Sequence, residues 1–179
     1  MLSGSQDGIK RRQLTIRLDS SVGSAVPFGH SAKYRRGVTS VLGIDFGTSH
    51  TVASVVFPDG RSEALLFDSS PLLASGVYAD NGKLLVGRDG ERAARMNPAP
   101  YEPNPKRRID DGVLLLGSAE IPVIEAVGAV LGRVRQEARR VLGASPSKVV
   151  LTHPAAWAQP RQSLLAAAAM SAGLGVRSH

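Results

Sequence analysis

Val41-Leu42-Gly43-Ile44-Asp45-Phe46-Gly47-Thr48-Ser49-His50-Thr51 is a short apolar run that breaks into a Gly-Thr-Ser turn, with one carboxylate, Asp45, inside the run. Together with the second apolar run at 52–57 it predicts a β-hairpin whose tip presents backbone N–H groups and small hydroxyls. Gly47 lets the backbone come close to a ligand because it carries no side chain. Successive turn amides form a concavity that receives anions, and Thr48 and Ser49 add hydroxyl donors. A carboxylate at Asp45 repels phosphate unless a cation lies between them. The natural cation is a hydrated Mg2+, which keeps several waters and takes one or two carboxylates. The same residues also fit an ordinary hairpin turn. The placement of Asp45 favours the phosphate reading, since an unpaired charge inside an apolar run is costly. The P-loop pattern, with Lys-Ser/Thr after its glycines, is absent.

A chain of 179 residues with 42% apolar residues is large enough for one domain with a real core. It has no cysteine, which excludes disulfides and thiolate metal sites and fits a reducing cytoplasm. Lys10-Arg11-Arg12 is basic, but no apolar segment of signal-peptide type follows it. The longest apolar run, 164–176, is Ala-rich and too short to span a bilayer.

Charge divides the chain at about residue 38. Residues 1–38 hold seven Lys/Arg against Asp7 and Asp19, so they carry five of the seven net positive charges. This segment is Ser/Gly-rich, and the expectation is a disordered basic arm. Within it, Leu14-Thr15-Ile16-Arg17-Leu18 alternates like a short strand. Phe28 and Tyr34 are its only aromatics, too little stacking surface to support a nucleic-acid arm.

From Val41 the chain reads as a meander. A second strand at 51–57 ends at Pro58-Asp59-Gly60, and a third follows at 63–67. Asn81-Gly82, the favoured type I′ turn pair, joins Gly76-Val77-Tyr78 to Leu84-Leu85-Val86. A helix at 88–96 stops before Asn97-Pro98. Pro100, Pro103 and Pro105 then keep the backbone extended up to Lys106-Arg107-Arg108-Ile109-Asp110-Asp111. Adjacent cations and carboxylates of this kind are usually a surface ion network worth little. In the functional reading one cation points at a phosphate, a role suited to the compact lysine ammonium.

At 121–142, Ile124, Val127, Leu131, Val134, Ala138 and Val141 recur at helical spacing, with Pro122 in the first turn and Gly143 as the stop. Gly128 and Gly132 read as a close-packing groove. Lys148-Val149-Val150-Leu151-Thr152-His153 follows as a buried parallel strand reached by crossover. A helix at 162–172 closes the pattern. His153 reads as a partly buried structural histidine.

Several of these segments carry a resemblance. Gly43-Ile44-Asp45-Phe46-Gly47-Thr48-Ser49 resembles the first phosphate motif of the actin-like ATPase superfamily, which includes heat-shock protein 70 (DnaK-like) chaperones, actins and sugar kinases. Met96-Asn97-Pro98 followed by Lys106-Arg107-Arg108-Ile109 is similar to the chaperones' Met-Asn-Pro turn and Lys-Arg-Leu-Ile segment, for which sugar kinases have no counterpart. Leu85-Val86-Gly87 matches their Val-Gly-Asp/Glu-Ala entry, with Arg88 in place of the acid. Val149-Val150-Leu151-Thr152-His153-Pro154-Ala155-Ala156-Trp157 and Ala172-Gly173-Leu174 resemble the chaperones' Val-Val-Ile-Thr-Val-Pro-Ala-Tyr-Phe and the helix ending Ala-Gly-Leu.

The resemblance covers 40–174 and implies an α/β fold. The expected architecture is the first lobe of an actin-like ATPase (ribonuclease H-like), a mixed sheet with flanking helices over 39–179, left incomplete. It implies an ATP-hydrolysing chaperone of the heat-shock-70 type, with ATP/ADP and Mg2+ as cofactors. It maps the γ-phosphate lysine onto Lys106, the adenosine-side arginine onto Arg107, and the phosphate loop onto Gly47, Thr48 and Ser49. His50 stands where the family has Asn or Tyr, as a phosphate donor or a rim residue. Asp45 takes the Mg2+ role through water. Pro154 takes the family's switch role, while ungapped counting puts Gln162, not Arg161, at the position of the switch arginine.

In the family the second phosphate loop, the adenosine-binding elements and the client-binding domain lie downstream of the stretch that matches. The expectation is therefore a truncated member, inactive alone, that meets unfolded clients and co-chaperones only through regions it lacks. Two rivals stay open: a scaffold module that needs no ATP, and a sugar-kinase-like phosphotransferase. Neither a membrane nor a nucleic-acid partner is expected.

Overall fold

The computed structural model describes residues 11–17 and 40–174. Its main sheet runs in the order β1 (Arg11–Arg17), β11 (Lys148–Pro154), β2 (Val41–Asp45), β3 (His50–Val56) and β4 (Ser62–Ala64), with the two-residue β5 (Leu73–Ala74) paired to β3. At its centre β2 (Val41–Asp45) turns through residues 46–49 into the antiparallel β3 (His50–Val56), which pairs with β4 (Ser62–Ala64). On its other side β2 pairs in parallel with β11 (Lys148–Pro154). A parallel partner needs a crossover, and the segment carrying α2 (Val123–Leu142) supplies it.

Side chains alternate along the central strands. Leu42, Ile44, Val55, Val149 and Leu151 are buried and join one core with Val127, Val130, Leu131 and Val134 of α2 and with Leu165, Ala168 and Ala169 of α3 (Gln159–Ser171). The core thus lies between one sheet face and these two helices, as period-two strands and a period-3.6 helix dictate.

The outer strand β1 (Arg11–Arg17) pairs antiparallel with β11, from Arg11 opposite Pro154 to Arg17 opposite Lys148. Arg11–Arg17 is thus a sheet strand rather than part of a disordered arm, and the rest of 1–38 lies outside the described residues. The second unit is a small sheet of β6 (Val77–Asp80), β7 (Lys83–Val86) and β8 (Tyr101–Glu102), with α1 (Gly87–Met96) beside it. Asn81 and Gly82, with φ of 46° and 79°, make the two-residue turn that the Asn-Gly pair predicts. A second hairpin, β9 (Val113–Leu116) and β10 (Ala119–Pro122), precedes α2. Ile121 and Pro122, expected in the helix, therefore end a strand.

Of the two helix glycines read as a groove, Gly128 is one: a Cβ there would lie 2.5 Å from the Ser171 hydroxyl and 3.3 Å from the Ala168 carbonyl. Gly132 is not, since nothing lies within 4 Å of its Cβ position.

On α2 the buried Glu137 accepts from Arg140 Nε at 2.7 Å and from Arg133 Nη1 at 3.2 Å. The Arg140 hydrogen bond, with that of Arg133 and against the cost of burial, holds its pKa below the ordinary glutamate value. A carboxylate lowered in this way stabilises the fold above the unfolded pKa, and the contribution is lost as pH falls through the folded one. Urea denaturation should show stability declining below about pH 4.5. Glu137→Gln should flatten that limb and cost about 1–2 kcal/mol at neutral pH; an unchanged acid limb in the variant would remove Glu137 as its source.

Candidate phosphate site

The turn between β2 and β3 is anchored from below. Phe46 is fully buried, and its carbonyl accepts a hydrogen bond from the Lys106 ammonium, sixty positions along the chain. Lys106 sits on a 3-10 turn, Pro105–Arg108, at the end of the proline-stiffened stretch. It is 8% exposed, so its charge is nearly out of water. Its ammonium lies 5.5 Å from the ring centroids of both Phe46 and Trp157. Buried lysines need such partners, and aromatic faces supply part of what water no longer does.

The same lysine lines a hollow of about 190 Å3 with Thr48, Arg107, Ile109, Asp110, Pro154, Trp157 and Arg161. Lys106, Arg107 and Arg161 bring three positive charges to it and Asp110 one negative, which suits an anion. Arg161 holds Asp110 through two nitrogens, Nη2 to Oδ2 at 2.6 Å and Nε at 2.9 and 3.1 Å to the two oxygens. Arg108 meets Asp111 and Glu102 in a surface ion network of the kind the sequence predicts.

The residues singled out in the sequence are brought together only in part. Thr48, Lys106, Arg107 and Pro154 share the hollow. Gly47 shapes the turn beside it: a Cβ at this position would lie 2.0 Å from the His50 carbonyl oxygen, so the backbone closes on itself only with glycine. Ser49 is exposed, and its carbonyl accepts from the Ser75 N–H at 2.9 Å. His50 is not brought to this hollow. It is exposed and lines a separate depression with Asp68, Arg88 and Glu91.

Asp45 is half-buried on the sheet face turned away from α2 and α3, among Gly43, Ser54 and Val150. Its Oδ1 accepts from the Thr152 hydroxyl at 2.9 Å, because the parallel register sets Thr152 opposite Asp45. Among the described residues no group of three or more His, Cys, Asp or Glu is placed to hold a metal. Asp45 thus lines a hollow other than the one that holds Lys106 and Thr48, and by chemistry alone one carboxylate is compatible with a Mg2+ that completes its shell with water.

The sequence reading gives two residues of this region no role at the site. Thr152 sits inside an apolar strand, and only the strand register links it to Asp45. Arg161 is placed in the hollow, while Gln162, which counting favours, donates from Nε2 to the Trp157 carbonyl at 2.8 Å. His153, expected to be partly buried, is 3% exposed, with Nδ1 2.9 Å from the Pro154 carbonyl oxygen.

No family model matches the chain. It is similar to the chaperone protein DnaK of Thermotoga neapolitana, 28% identical over 139 residues that make up 76% of this chain and 23% of that protein. The DnaK of Halobacterium salinarum is 29% identical over 118 residues, 64% of this chain and 19% of the relative. That of Picrophilus torridus is 27% identical over 149 residues, 78% and 24%. The chain spans about a quarter of the length of the curated relatives it matches. Its mixed α/β architecture is compatible with an actin-like ATPase lobe, and at this low identity the similarities support a relation to the heat-shock protein 70 chaperones.

Proposed function

We propose that this chain forms the phosphate-binding part of a heat-shock-70-type ATPase of actin-like fold, the nucleotide-handling element of a chaperone. The observation that carries the reading is the Lys106 ammonium, fixed to the Phe46 carbonyl at the foot of the glycine turn and lining one hollow with Thr48. Lys106 and Arg107 attract the phosphate tail, and the turn amides with the Thr48 hydroxyl orient it. Ser49 extends the donor set along the turn, and His50, which lines a separate depression, takes no part in it. Asp45 would hold a hydrated Mg2+ through water, where the cation neutralises phosphate charge. A lysine held at a developing negative charge in a water-poor site is the type of group that stabilises phosphoryl transfer. Pro154 ends β11 at the hollow and passes its occupancy on to α3.

At about 190 Å3 the hollow is smaller than the ~300–1,000 Å3 of a typical small-molecule site. It accommodates phosphate groups rather than a whole nucleotide, so this chain alone is proposed to bind Mg-ATP weakly, near millimolar, with negligible turnover. Among the described residues no helix is long and apolar enough to cross a membrane, and the lack of cysteine supports a reducing, cytoplasmic setting.

Isothermal titration separates the two ends of the nucleotide. Tripolyphosphate should bind within about threefold of Mg-ATP, while adenosine gives no heat at millimolar concentration, a gap of at least about tenfold, or ~1.4 kcal/mol. Binding of adenosine without phosphates, or micromolar affinity for Mg-ATP, would contradict this reading.

A further inference from the structure

We propose that Asp110 is a built-in stand-in for a phosphate group, holding Arg161 at the rim of the Lys106 hollow until an incoming phosphate takes that arginine over. The inference rests on the phosphate reading above and adds a gate to it. Arg161 meets the Asp110 carboxylate through Nε and Nη2, the same two-pronged face with which a guanidinium meets a phosphate. Both residues line the hollow together with Lys106 and Arg107. The carboxylate therefore stands where an anion is wanted, and it carries the charge that repels one.

The pair also joins two elements. Asp110 follows the 3-10 turn that carries Lys106, and Arg161 lies in the first turn of α3, fifty-one positions on. That helix turn has no acidic residue of its own, so Asp110 supplies the negative charge from another element. The two side chains are about half exposed, at 47% and 51%. Water and salt screen such a pair, and it opens readily. A phosphate oxyanion, with more charge and more acceptor oxygens than one carboxylate, displaces it; the freed arginine then closes on the ligand.

The test is a titration of the full chain with inorganic tripolyphosphate, followed by the fluorescence of Trp157, the only tryptophan, which lines the hollow. Asp110→Asn should tighten binding about fivefold, the range set by an exposed ion pair. Asp111→Asn removes the same charge one position away, where Asp111 pairs with Arg108 and does not line the hollow; it should change binding less than about twofold. In Asp110→Asn/Arg161→Gln the gain should vanish, and in the unmodified chain the Arg161 Nε–H resonance should shift on adding tripolyphosphate. Equal affinities for Asp110→Asn and the unmodified chain, equal gains from Asp110→Asn and Asp111→Asn, or an unmoved Arg161 resonance in a chain that binds would overturn the gate while leaving the phosphate site intact. A chain that binds no tripolyphosphate, with Asp110 or with asparagine in its place, overturns the phosphate reading and the gate together.

Discussion

Gly47→Ala should lower the unfolding free energy by about 2–4 kcal/mol and abolish detectable tripolyphosphate binding. The added methyl would lie 2.0 Å from the His50 carbonyl oxygen and 3.2 Å from its carbon, both backbone atoms that no rotamer change can move. Both sides of the turn are fixed. Phe46 is locked in the core, and the β2–β3 register sets Asp45 opposite Val52. The turn must therefore spread, which shifts the Phe46 carbonyl away from Lys106 and the Thr48 hydroxyl out of the hollow. Urea denaturation reads the first loss and calorimetry the second. Stability within about 0.5 kcal/mol of the unmodified chain, as for an ordinary surface change, would show that the close approach at Gly47 is not a constraint.

Lys106→Met should weaken tripolyphosphate binding at least tenfold, while costing about 1 kcal/mol of stability through the Phe46 carbonyl left without its donor. Methionine keeps the length and most of the apolar stem, so the packing between Phe46 and Trp157 is largely preserved. The charge is what is lost, and a charge-assisted hydrogen bond is worth about 1.5–3 kcal/mol. Lys106→Arg should not restore binding, because a planar fork does not replace a compact ammonium seated between two rings. Unaltered affinity in Lys106→Met, with the fold intact by circular dichroism, would leave the lysine a structural pin for the turn and favour a scaffold that needs no nucleotide.

The parts of this architecture that were legible in the sequence are those set by local chemistry. The run around Asp45 gives a strand and a turn because a glycine and two small hydroxylated residues interrupt it. Asn81-Gly82 gives a hairpin because both residues accept positive φ. Val127, Leu131, Val134 and Ala138 give α2 because they recur on one face.

What was missed depends on partners distant in sequence or on register. Val113-Leu114-Leu115-Leu116 is uniformly apolar, so it shows no alternation, although Leu114 is buried and Leu115 is 70% exposed in the folded hairpin. Pro122 suits a helix start and also a strand end, which hid β10 inside the helix pattern. The pairing of β1 with β11 joins residues more than 130 positions apart and leaves no local trace beyond a short alternation. Arg161 reached the hollow through the turn after Pro154 and the helix that follows, a geometry that counting residues from the proline does not follow.

The convergence of the Gly47 turn and Lys106 on one phosphate is tested most directly by adding Mn-ATP to the isotope-labelled chain and measuring paramagnetic broadening by NMR. The account predicts that the Trp157 indole N–H and the amides of Thr48 and Lys106 broaden first, while the β9–β10 hairpin stays sharp. Broadening confined to other surfaces, with the Trp157 indole unaffected at millimolar Mn-ATP, would contradict it.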